Sequence, residues 1–177
     1  AVVEYEDLEP ILDVKTALAR QSFVMPTRTL KRGDPDAQLR SAPHRVSGSF
    51  SVGGQEHFYL EGQIAVALPG EDGTMLVHSS TQHPSEVQRL VAHCLGVSAN
   101  DVFVHCRRMG GGFGGKETQP ALLACIAALG ARRTGRPVKL RLDRDLDMLI
   151  TGKRHPFDLS YDAGFDEEGR ILGIRMT

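Results

Sequence analysis

Hydrophobic and polar positions follow two different periods along this chain, and the change comes near Gln82. Upstream, Val46, Gly48, Phe50 and Val52 recur at every second residue, the period of a half-buried strand, and Gly53-Gly54 ends the run. Ile64 to Leu68 and Met75 to Ser80 flank Pro69-Gly-Glu-Asp-Gly73, which predicts a hairpin with a polar loop. Val2 to Tyr5 reads as a short strand, and Asp13 to Ala19 as a brief helix opened by an aspartate cap. Met25 to Pro43 holds three prolines, Gly33 and two aspartates with little periodicity, and is expected to be a surface linker.

Downstream of Gln82 the spacing becomes helical. Pro84 suits a first turn, and Val87, Leu90, Val91, Cys94 and Leu95 share one face until Gly96 stops the helix. Val102, Val104 and Cys106 alternate as a strand that runs into a glycine-rich stretch. Thr118 and Pro120 open a second helix, Ala121 to Leu129, apolar on nearly every face and expected to be buried. Pro137 to Leu142 predicts a further strand, and Phe157–Phe165 with Ile171–Met176 a second hairpin around Asp166-Glu-Glu-Gly-Arg170. The sum is an α+β chain of mixed and antiparallel strands with interspersed helices.

With 177 residues and 41% apolar content the chain can bury one respectable core. A formal net charge of −1 gives no long-range reason to expect nucleic acid or a membrane surface. No apolar run approaches the roughly 20 residues of a membrane span. Cys94, Cys106 and Cys125 are widely spaced and odd in number, which suggests reduced, core-facing thiols in a cytoplasmic protein. The missing initial Met, and an end within the strand-like Ile171 to Thr177, suggest a fragment.

The richest stretch is Arg107-Arg-Met-Gly-Gly-Gly-Phe-Gly-Gly-Lys-Glu-Thr-Gln-Pro120. Consecutive glycines can present several backbone N–H groups in one concave loop, and a following helix adds its own unpaired donors. A strand–loop–helix turn that holds an anionic or strongly polar ligand is expected, with Phe113 as a wall or wedge. The spacing from Gly110 to Gly115-Lys116 nearly matches a phosphate-binding P-loop, but Glu117 replaces the Ser or Thr that would hold magnesium. Three readings stand: a loop for a different anion, a nucleotide-binding module, and a glycine hinge. Glu117 either favours the dipole of the following helix or faces a ligand pocket. Gln82, at a strand–helix junction, is either a solvated loop residue or a ligand contact. His57 and His83 have no partner at metal spacing; His78, His93 and His105 read as structural. Asp143, Asp145 and Asp147 interleave with Arg141 and Arg144 and are expected to form a salt-bridged surface turn.

Several blocks together, in one order and spacing over about residues 50 to 177, carry a resemblance. They are Gly53-Gly-Gln-Glu-His-Phe-Tyr-Leu-Glu61, Ser80-Thr-Gln82, Arg108 to Thr118, Thr134-Gly-Arg-Pro137, Leu142-Asp-Arg-Asp145, Asp147 to Gly152 and Arg154-His-Pro156. The chain resembles the xanthine dehydrogenase family of molybdenum hydroxylases in the molybdopterin-binding part of the large subunit. The resemblance implies that residues 1–12 end a preceding small α/β domain. Residues 13–177 would form the N-terminal portion of the molybdopterin-binding domain. It implies that Gln82 and Phe113 approach the molybdenum and that Gly112 and Gly114 contact the cofactor. Glu117 would bind the edge of a purine; similar aldehyde oxidases have an apolar residue there, so the alternative of an aldehyde-type hydroxylase is disfavoured. The complete enzyme would be an oligomer that oxidises hypoxanthine or xanthine with water as oxygen source. It would pass electrons through [2Fe–2S] clusters and FAD, held on other domains or subunits, to NAD.

Overall fold

A computed structural model describes residues Val2–Thr177. Its elements in chain order are α1 (Val14–Ala19), α2 (Pro35–Ser41), β1 (His44–Val52), β2 (Ile64–Pro69), β3 (Met75–Ser79), α3 (Pro84–Leu95), β4 (Val102–His105), α4 (Pro120–Thr134), β5 (Val138–Arg141), α5 (Arg144–Ile150), β6 (Phe157–Phe165) and β7 (Ile171–Met176). The α+β class is as expected. The chain divides into two compact units, Gln55–Arg154 and the flanking segments Ala1–Gly54 with His155–Thr177.

In the central unit the strands lie in the order β4-β3-β2-β5. β2 and β3 form the expected hairpin, β3 and β4 are parallel across α3, and β5 returns antiparallel to β2 after α4. Strand alternation points Ala65, Ala67, Met75, Val77 and Val102 to one face, where α3 and α4 bury them. Val77, Val87, Val91 and Val102 lose all exposure, each contributing roughly 1.5–3 kcal/mol. α4 meets the sheet through Ala124, Ala127, Ala128 and Ala131, and its small side chains let it lie close above Ala65 and Ala67.

The helix differs from the sequence expectation in two ways. It runs on to Thr134 before Gly135 ends it in a left-handed conformation. It also leaves Leu122, Ile126 and Leu129 about half exposed, since only its alanine face is covered. Cys94 is exposed, and Cys106 and Cys125 are partly buried, so none is a sealed core thiol. Burial, and then the neighbouring Cys94 thiol, push Cys125 up to about 11.

The flanking unit is an antiparallel sheet, β1-β6-β7, covered by α2. Gly164 and Gly173 make this cover possible, because a Cβ there would fall 2.6 Å from the Ala42 Cβ and 2.9 Å from the Gln38 Cβ. α2 corrects the reading of Met25–Pro43 as unstructured linker: Asp34 caps it by accepting from the Ala37 amide, and Pro35 takes its first turn. Val2–Tyr5 is not a strand and pairs with no strand among the described residues, whereas α1 forms on its Asp13 cap. β1 is exposed along most of its length rather than half-buried.

On the sheet, Asp162 accepts from Arg45 and also meets Arg175, which reaches Asp36 at 3.1 Å. The Arg45 hydrogen bond is the main reason the Asp162 carboxyl lies below its ordinary 3.8. A carboxylate with a depressed folded pKa stabilises the fold above the ordinary value and loses that effect as pH falls through the folded one. Asp162→Asn is therefore expected to lower the melting temperature at neutral pH and to flatten the acid limb of the stability profile below about pH 4. Thermal unfolding followed across pH checks both. Ala127→Leu, which overfills the α4–β2 contact, is expected to cost about 1–3 kcal/mol in urea unfolding.

Candidate functional site

Four connecting segments of the central unit meet at one end of its sheet, and the strand directions dictate this. β3 and β4 are parallel neighbours with His78 beside His105, so the residues after each strand emerge side by side. β2 is antiparallel to β3, so its approach segment, residues 55–63, arrives at the same end. β5 is antiparallel to β2 and leaves there too, through Leu142 to α5. Gln82, the glycine loop, His57–Gln63 and Asp147 are thus brought together although as many as 90 positions separate them.

The loop itself is a tight turn. The Gly115 amide donates to the Gly112 carbonyl at 2.7 Å, with Phe113 at φ 52° and Gly114 at φ 92° between them. Two consecutive positive φ values are the pattern of a type I′ turn, in which both central amides point away from the turn's own hydrogen bond. A phenylalanine in this region costs about 1–2 kcal/mol relative to ordinary backbone. Phe58 shares the strain at φ 52°, between two residues that touch the loop.

Donors and acceptors around the loop can be followed one by one. Gln82 Oε1 accepts from the Gly114 amide at 2.9 Å and the Lys116 amide at 3.2 Å, while the Gln82 amide donates to the Lys116 carbonyl at 2.7 Å. Glu61 takes the Gly110 amide at 2.9 Å, and Gln63 Nε2 donates to the Gly115 carbonyl at 2.9 Å. The amides of Gly111, Gly112 and Phe113 and the Gln82 side-chain NH2 have no acceptor among the described residues. The expected cup of free amides is therefore narrower than the sequence suggests: Gln82 holds the Gly114 and Lys116 amides, the Gly112 carbonyl holds that of Gly115, and unspent donors remain from Gly111 to Phe113. Phe113 is 72% exposed.

The glycines differ in what they require. A Cβ on Gly112 would fall 2.5 Å from Gln82 Oε1, so a side chain there would drive the glutamine out of place. Gly114 has room, its nearest neighbour being His57 Nε2 at 3.8 Å, and needs glycine for its positive φ instead. His57 lies beneath the loop, with Nδ1 buried and unpaired. Glu117 is exposed, precedes α4 by three residues and makes no hydrogen bond or ion pair among the described residues. It does not stand in the first turn of the helix.

A supporting network was not legible in the sequence. Tyr59 donates to Asp147 Oδ1 at 2.6 Å, the Gln63 amide donates to Asp147 Oδ2 at 2.7 Å, and Gln63 Nε2 donates to the Tyr59 hydroxyl at 3.0 Å. Burial, then the Asp147 hydrogen bond, raise the Tyr59 hydroxyl above its ordinary value. Asp147 thus corrects the expected salt-bridged surface turn: it is buried within α5, and Asp143 is that helix's cap. Burial pushes the Glu61 carboxyl up, but the Gly110 amide, the Ser80 hydroxyl and Lys116 together outweigh it and hold it below the ordinary range. Lys116 has no exposed surface and is paired with Glu61, so it cannot reach a phosphate; this removes the P-loop reading. The remaining donor set, main-chain N–H and a carboxamide NH2 beside a Cβ-free cradle, fits the oxo and phosphate oxygens of a molybdenum–pterin group.

Residues 18–177 match the molybdopterin cofactor-binding domain family. The chain is 47% identical over 173 residues to xanthine dehydrogenase of Emericella nidulans, covering 97% of this chain and 13% of that protein. It is 47% identical over 174 residues to aldehyde oxidase 2 of Cavia porcellus, again with 97% and 13% coverage. The solved quinoline 2-oxidoreductase of Pseudomonas putida superposes with a TM-score of 0.76 at 25% identity, over 98% of this chain and 23% of that one. The match along nearly all of this chain, together with the donor-lined glycine loop, leads to one conclusion: the chain belongs to the molybdopterin cofactor-binding domain family.

Proposed function

We propose that this chain supplies part of the molybdenum-cofactor site of a purine hydroxylase similar to xanthine dehydrogenase. One observation carries the reading: Glu117, an exposed carboxylate without a partner among the described residues, follows directly on a loop whose Phe113 amide and neighbouring Gln82 NH2 are unspent there too. In this reading Phe113 N–H and Gln82 Nε2 donate to the electronegative ligands of the cofactor, and Gly112 and Gly114 let it approach the main chain. Bound there, the molybdenum–pterin group supplies the two-electron oxidation and the water-derived oxygen of a hydroxylation. Glu117 accepts from an N–H edge of the purine and so fixes which ring carbon faces the centre. The exposed Phe113 ring offers a flat apolar face to a planar heterocycle.

The chain spans 13% of the length of the curated relatives, so the rest of the activity lies on other parts of the complete protein. Those parts are proposed to carry [2Fe–2S] clusters and FAD and to pass electrons to NAD. Purine and aldehyde enzymes resemble this chain equally well overall. The carboxylate at Glu117 is what favours a purine.

In the full-length protein, Glu117→Ala is expected to lower kcat/KM for hypoxanthine or xanthine by about ten- to a hundredfold, as for loss of a charge-assisted hydrogen bond. Molybdenum per protomer should stay near the wild-type level. Purine rates close to wild type would remove Glu117 from the site, and wild-type preference for an aldehyde would move the assignment to that substrate class. Gly112→Val is expected to abolish molybdenum loading, read by elemental analysis; normal occupancy would refute the cradle.

A further inference from the structure

Lys116 and Glu61 have no place in the chemistry above, yet they join the two ends of the loop. The Lys116 side chain is 0% exposed, with Nζ 3.1 Å from Glu61 Oε2, 2.9 Å from Ser80 Oγ and 4.8 Å from the Tyr59 ring centroid. An ammonium is retained in such a place only when charge and hydrogen bonds compensate for lost water. Glu61 Oε2 also accepts from the Gly110 amide at 2.9 Å and the Ser80 hydroxyl at 2.6 Å, and the Glu61 amide donates to the Gly110 carbonyl at 3.1 Å. One carboxylate oxygen therefore ties the entry of the loop, at Gly110, to its exit, at Lys116. Through Ser80 the same oxygen holds the segment that carries Gln82. The side chain of Lys116 touches no solvent and so cannot meet substrate; its action is on the loop.

We propose that Glu61 and Lys116 are positioning residues, an ion pair that closes the base of the Gly110–Lys116 loop and sets the Phe113 amide and the Gln82 carboxamide for the cofactor. This inference rests on the loop being the cofactor seat. It goes further in naming what holds the loop open at Phe113 while its flanking amides are occupied.

The test uses the full-length protein and three variants: Glu61→Gln, Lys116→Met and the two combined. Hydrogen exchange of residues 110–117 is compared with that of β2 and β3, and molybdenum and pterin are measured per protomer. Glu61→Gln leaves a sealed ammonium beside a neutral partner. It is expected to speed loop exchange by about tenfold while β2 and β3 change less than about twofold, and to lower molybdenum content about fivefold or more. The combined variant is neutral on both sides, and its amide still accepts from Gly110; it should restore both readouts to within about twofold of wild type. If Glu61→Gln does not accumulate folded, Lys116→Met carries the same comparison of loop against strands. Unchanged loop exchange, loop and strands loosening together, or a combined variant no better than Glu61→Gln would each overturn the proposal. A wild-type protein devoid of molybdenum whose loop still loosens in Glu61→Gln would support the positioning role and overturn the cofactor reading instead.

Discussion

A peptide amide removed from water needs an acceptor, and between Gly110 and Lys116 neither helix nor sheet provides one. The chain meets this need with side chains drawn from distant segments. Gln82 holds two amides, Glu61 holds the amide at the loop entry, and Gln63 donates to the Gly115 carbonyl. The turn geometry then decides which donors are left. With Gly112 O and Gly115 N bonded to each other, the two central amides are turned outward, and only one of them meets Gln82. The free donor at Phe113 is what the turn leaves over, beside the equally unspent amides of Gly111 and Gly112 and the Gln82 NH2.

These partners can meet only because the layers beneath them are fixed. The alanine face of α4 lies on Ala65 and Ala67, and larger residues on either surface would lift the helix and shift the loop that leads into it. The parallel pairing of β3 with β4 places Gln82 beside the loop, and the antiparallel flanks bring Glu61, Gln63 and Asp147 to the same edge. A sheet that mixes directions in this way gathers segments from four parts of the chain at one end. The site is a product of that topology more than of any one motif.

Much of the central unit could be read from the residues. The hairpin at Pro69–Gly73, the α3 repeat ended by Gly96, and the strand–glycine–helix order each rest on local periodicity or backbone freedom, which sequence displays directly. The loop's importance was legible for the same reason. Lys116 burial was not, since a lysine beside a glycine run signals solvent or phosphate, and its partner lies 55 positions away. The burial of Asp147 is masked in the sequence by the charges around it, Arg144 and Asp145, which signal a surface although the helix turns this one carboxylate inward. α2 was hidden among prolines that look like a linker, yet Asp34 and Pro35 are a cap and a first turn. The tilt of Phe113 into positive φ had no sequence signal, because that conformation is imposed by the turn around it.

The carboxamide of Gln82 faces two ways, with its oxygen committed inward and its nitrogen unspent. The side-chain share of the donors at this spot is therefore a single NH2 group, beside the free main-chain amides. A glutamate in its place would preserve both inward bonds but present a lone pair outward, so that a surface suited to electron-rich oxygens would repel them instead. Shape would be unchanged, while an outward carboxylate lone pair opposed the main-chain donors beside it.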